Sequence, residues 1–161
     1  MAYDIYDASI PPLIHMLSGL SKVLSKGEAH GGIDPNEARL APDMLPLKAQ
    51  VYIATDMAKG CGGRLAGVEI PKYEDSETTF AELKARVAKT IDFLKSLDRK
   101  AFPGSETKHI VLKFPNNTFE FNGADYVGKF ALPNVYFHIT TAYGILRNRG
   151  VVLAKSDYLG G

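Results

Sequence analysis

Apolar residues recur at three- and four-residue steps over four long stretches of the chain, the spacing of helices that bury one face. Ile10, Leu13, Ile14, Leu17, Leu20 and Leu24 predict a first helix from about Ser9 to Lys26. Pro11 and Pro12 fit only its first turn, where an amide has no helical partner to lose. Leu47, Val51, Ala54, Ala58, Cys61 and Leu65 predict a second helix, from an N-cap at Asp43 to about Leu65, with Pro46 in its first turn. The pair Gly62-Gly63 near its end would let a neighbouring helix approach closely. The third helix opens on a capping box, Thr79 with Glu82, and carries Phe80, Leu83, Val87, Ile91, Leu94 and Leu97 as its buried stripe. Lys84, Arg86, Lys89, Asp92 and Lys95 fall away from that stripe and read as a solvated face.

Between Thr107 and Phe121 the period shortens to two. Ile110, Leu112 and Phe114 define one strand, Phe119 and Phe121 the other, and Pro115-Asn116-Asn117-Thr118 the turn, since asparagine tolerates positive φ. A fourth helix then runs from Gly123 or Ala124 to Arg149 and stops at Gly150. Pro133 removes one bond to the carbonyl of Lys129 and collides with it, so a kink or break is expected near Leu132. The breaker-rich segment from His30 to Pro42 is a long loop. These elements predict a single all-α domain over residues 1–161, a four-helix bundle with one short hairpin between helices 3 and 4.

Composition narrows the chemistry. A chain of 161 residues with 45% hydrophobic content can bury a core without metal or disulfides. Its single cysteine, Cys61, lies on the apolar seam of the second helix and has no thiol partner. A formal charge of +1 with interspersed signs lacks the field that holds a phosphate backbone, so no nucleic acid is expected. No apolar run is long enough to span a membrane, and the acidic start Met1-Ala-Tyr-Asp-Ile-Tyr-Asp lacks a secretory leader's pattern; a cytoplasmic location is expected. Ser76 and Ser105 lack a nucleophile-elbow setting, and Gly60, Gly62 and Gly63 do not follow a strand as a phosphate loop would.

The fourth helix carries the main candidate. His138 lies one turn after Asn134 and one turn before Ala142, bordering the seam of Leu132, Val135, Ile139, Ala142 and Leu146. It reads as an acid, a base or a ligand-binding imidazole, or as a core-edge histidine bonded to a carbonyl or to Gln50. Asn134 and Thr141 flank it. Tyr136, Thr140, Tyr143 and Arg147 form a second stripe, suited to a ligand or, more readily, to a subunit contact. His15, His30 and His109 are not spaced to join His138.

The segments Tyr6-Asp-Ala-Ser9, Ala38 to Leu47, Thr78 to Lys84, Lys89 to Leu94, Ala131 to Tyr143 and the closing Asp157-Tyr158-Leu159-Gly160 resemble a family described as a domain of unknown function in the DinB/YfiT-like superfamily of metalloenzymes. The resemblance implies a DinB/YfiT-like four-helix bundle with a long crossover, often a homodimer. It also implies a divalent metal held by a histidine on helix 2 and a His-x-x-x-His pair on helix 4. His138 matches the first histidine of that pair, whereas Ala142 occupies the second position and helix 2 has none. The three-histidine site is therefore absent and no cofactor is expected; any residual metal would rest on His138 with Gln50 or Asp56, a poor set for zinc or nickel. The leading expectation is a binder of an unknown small molecule, between helices 2 and 4, with a degenerate metal site and with ligand contacts from Gln50, Asn134, Thr141 and Tyr143. The alternatives are a metal-independent isomerase, lyase or transferase with His138 as acid or base, and a dimeric structural or stress-response protein without a pocket.

Overall fold

The computed structural model describes residues 2–160; Met1 and Gly161, the two ends of the expected domain, lie outside the described residues. Helix α1 spans Ile5–His30 and so begins four residues before the expected Ser9. The cause is a second capping box. The Asp4 carboxylate accepts the Asp7 N–H at 3.1 Å, and the Asp7 carboxylate accepts the Asp4 N–H at 3.2 Å. Arg99 binds both acids and ties the helix start to the segment after helix 3. Pro11 and Pro12 consequently lie in the second turn, not the first. Burial of Ile10, Leu13 and Leu17 on the opposite side offsets the two missing amide bonds.

Helix α2 spans Leu47–Ala66, and its N-cap is Pro46, not Asp43. The loop does the capping with its backbone: Leu47 N–H donates to the Ala38 carbonyl at 2.8 Å and Lys48 N–H to that of Pro35 at 3.0 Å. Gly62 opens the close approach expected of it. A Cβ there would lie 2.8 Å from a Leu94 methyl and 2.7 Å from a Leu97 methyl.

Helix α3 spans Phe80–Ser96 and begins with the expected Thr79–Glu82 box. Replacing Thr79 by alanine is expected to cost about 1 kcal/mol, read as a drop of roughly 2–4 °C in thermal midpoint. Its polar face holds a surprise, because Arg86 is 1% exposed instead of solvated. The guanidinium sits between Tyr52 and Tyr73, 4.7 and 5.0 Å from their ring centres, and pairs with Asp56, Asp75 and Glu77 at 3.0 to 3.1 Å. The crossover from α2 to α3 folds over that face and covers it.

Strands β1 (His109–Lys113) and β2 (Thr118–Asn122) pair antiparallel, with Ile110 opposite Phe121 and Leu112 opposite Phe119. Residues 114–117 close the turn through two backbone bonds between Phe114 and Asn117. No residue other than glycine has positive φ among those described, so the asparagines do not serve the turn in the expected way. Their polarity at an exposed tip suffices.

The last helix is continuous, and no break occurs at Leu132. A one-turn α4 (Gly123–Asp125) leads into a π-helical segment, Tyr126–Ala131, and then into α5 (Leu132–Asn148). The Leu132 N–H reaches back to the Val127 carbonyl, five residues away, and this widened turn places Pro133 at the start of α5, where its missing amide is tolerated. After α5 the chain returns over the bundle; Val151 and Leu153 are buried and a short α6 (Lys155–Tyr158) packs on α1 beside Gly19.

Neighbours fix the helix directions. Gly62 of α2 meets Ile10 of α1 and Leu97 after α3, while Gly27 of α1 meets Phe80 of α3 and Leu146 of α5. Helices α2 and α3 therefore run down against α1, and α5 runs up beside it. That order requires the long crossover, residues 67–79, between two parallel helices.

Candidate functional site

Helices α2 and α5 bring Gln50 and His138 together across 88 residues of chain. The His138 Nδ1 lies 2.7 Å from the Gln50 Oε1, while the Gln50 Nε2 donates to the Leu45 carbonyl at 3.0 Å. The second bond fixes which way the amide points. Its oxygen faces the imidazole, so Nδ1 carries the proton and Nε2 keeps its lone pair. No described buried side-chain nitrogen or oxygen lacks a partner, and Nε2 has no hydrogen-bond partner among the described residues; solvent therefore reaches it.

Partial burial lowers the His138 pKa below its ordinary value of 6.5, because the charged imidazolium is the form that loses hydration. The ring is neutral at pH 7. An NMR titration is expected to give His138 a midpoint below 6.5, and Gln50→Glu is expected to raise it by placing a carboxylate at Nδ1. The sign for stability follows: the fold favours the neutral ring, so this contribution is complete above 6.5 and is lost as pH falls through the lower folded value.

The other candidates are placed differently. Asn134 donates to the Phe130 carbonyl at 2.7 Å, using its amide on backbone of the π-helical segment. Thr141 donates to the Phe137 carbonyl at 2.8 Å. Tyr143 lies five residues from His138 and turns away from it, with its hydroxyl 3.4 Å from the Leu153 carbonyl. Arg147 likewise bonds the Val151 carbonyl at 3.0 Å, so the second stripe meets the chain's own C-terminal return. Asp56 belongs to the Arg86 cluster and also pairs with Lys59 at 3.0 Å.

This donor set does not fit the metal that the superfamily resemblance implies. Ala142 is fully buried, the Gln50 oxygen is occupied by His138, and Asp56 is occupied by two cations. No group of three His, Cys, Asp or Glu side chains able to hold an ion occurs among the described residues. Cys61 offers no thiolate either, since complete burial pushes its pKa up to about 12.

Sequence spacing located His138 and named Gln50 as one partner, but it missed the Leu45 carbonyl that orients the pair. No side-chain pattern could have marked a backbone group. Exposed apolar residues flank the pair: Phe137 meets the His138 ring edge to face at 5.1 Å, and Leu45 leads into α2.

Residues 5–159 match a family described as a domain of unknown function, DUF1993. The chain belongs to this DUF1993 family. A solved structure, described as a DinB family member from Shewanella denitrificans, is 38% identical, with a TM-score of 0.87 over 98% of this chain and 92% of that one. This DUF1993 protein is thus DinB-like in fold as well as in sequence. No curated protein matches it. No described helix is long and apolar enough to cross a membrane.

Proposed function

We propose that this DUF1993 protein binds a small molecule on the α2–α5 face, with His138 Nε2 accepting a hydrogen bond from the ligand. The observation that carries this reading is the chain Leu45 carbonyl, Gln50 amide, His138 imidazole, which holds one basic nitrogen open to solvent in a fixed tautomer. Phe137 and Leu45 give the ligand an apolar edge to lie on. A binder fits better than a proton-cycling enzyme. Catalytic histidines are commonly backed by a carboxylate that stabilises the imidazolium, whereas an amide behind His138 supplies orientation without charge.

The superfamily's metal chemistry is replaced in this reading by hydrogen bonding. Protein dialysed against zinc or nickel is expected to retain less than about a tenth of an equivalent, measured by elemental analysis. The test of binding is native mass spectrometry after equilibration with the small molecules of a cell extract. An adduct should form with the parent protein and vanish in His138→Ala at unchanged thermal midpoint. An adduct that persists in the variant, or none with either protein, rejects the reading.

A further inference from the structure

We propose that the groove between the first turn of α1 and the π-helical segment is a second binding site, for amphipathic amines. It is an open groove of about 760 Å³, within the range of ligand clefts, and lies at the end of the bundle where α1 begins, whereas Gln50 and His138 lie towards the other end. Ile5 and Ala8 form one wall, Pro103 another, and Val127 and Leu132 a third.

Two features select the ligand. The charged side chains on the wall, Asp4 and Glu106, are both carboxylates; no lysine, arginine or histidine shares it. Asp4 is paired with Arg99, but Glu106 makes no ion pair among the described residues. An apolar body inside the groove with a protonated nitrogen at its rim would match this charge and lining. The second feature is Gly128. It lies in the π-helical segment, and a Cβ there would meet no atom within 4 Å, so the groove is left open at that point. Wide turns of this kind recur at functional sites.

The probe is dansylcadaverine, an aromatic body with a terminal ammonium, compared by fluorescence titration with dansyl-6-aminohexanoate, which ends in a carboxylate. The parent protein should bind the amine saturably and prefer it over the acid. Glu106→Gln should weaken the amine about threefold, the size of an exposed charge contact, and should strengthen the acid or leave it no weaker, so that the preference narrows. Glu106→Lys, at an exposed position, should reverse the preference between the probes. Gly128→Phe should fill the groove and abolish saturable binding of both. His138→Ala should alter neither, which separates this site from the α2–α5 face. The proposal is overturned by absence of saturable amine binding, by equal affinity for the two probes, by a preference that survives Glu106→Lys, or by a folded Gly128→Phe protein that binds as the parent does.

Discussion

Replacing Arg86 with leucine is expected to destabilise the protein by about 3–5 kcal/mol, the usual result of removing one partner from a buried ionic cluster. The side chain is fully enclosed and serves six groups, one of them the Asp75 carboxylate at 3.0 Å from Nη1. Its Nε donates to the Thr55 hydroxyl at 2.7 Å, its Nη1 to Glu77 at 3.1 Å and weakly to the Glu74 carbonyl, and its Nη2 to Asp56 at 3.0 Å and weakly to the Tyr52 carbonyl. Leucine leaves Glu77, which is only 11% exposed, without its cation. It also leaves Tyr52 and Tyr73 without the plane that separates them. For a chain of this length the loss corresponds to a fall of roughly 10 °C in thermal midpoint. Arg86→Lys should recover only part of it, because an ammonium cannot stack as a plane or reach so many acceptors. Hydrogen exchange should show the crossover, residues 67–79, opening first. A leucine variant as stable as the parent would mean that the cluster contributes no net stability.

Arg86 also shows where sequence reading ends. Its place on the polar side of the α3 stripe is correct as a helical position, and Thr90, one turn on, is buried with it. What periodicity cannot report is that the crossover leading into α3 folds back over that side. Burial is set by the partner surface, and the crossover's Tyr73, Asp75 and Glu77 carry no periodic signal. The helices themselves were legible because each apolar stripe needs only its own spacing. Their starts were less so: α1 is begun by Asp4 and Asp7 and α2 by loop carbonyls, and the expected starts at Ser9 and Asp43 overlooked both devices. At the candidate site, His138 was visible as a polar residue beside a seam. The roles of Asn134 and Thr141 were not, because each spends its hydrogen bond on backbone one turn away. The groove was invisible for a similar reason, since its walls come from three separate parts of the chain.

Gly123→Ala is expected to be the other strongly destabilising substitution, at about 3 kcal/mol or more. Overpacking usually costs about 1–3 kcal/mol where side chains can rotate aside. Here a Cβ would strike the Ser105 carbonyl, and main chain cannot rotate aside. The Ser105 hydroxyl is held by the Phe102 carbonyl at 2.6 Å, and the Ser105 carbonyl accepts the Lys108 N–H at 3.2 Å, so the turn resists displacement. On the other side, Asn122 caps α4 by accepting the Asp125 N–H at 2.8 Å, which fixes the glycine from the helix end. Relief requires the hairpin and α4 to move off residues 105–106 together. Denaturant unfolding should therefore show a lowered midpoint with an unchanged slope, the mark of lost stability without a change in surface exposed. The same shift would carry Glu106 and Ala124 apart, and both line the α1 groove. Dansylcadaverine binding should weaken in Gly123→Ala while the His138 titration stays in place. A variant that loses stability yet keeps the parent's affinity for the amine would show that the 105–106 turn and the groove wall move independently.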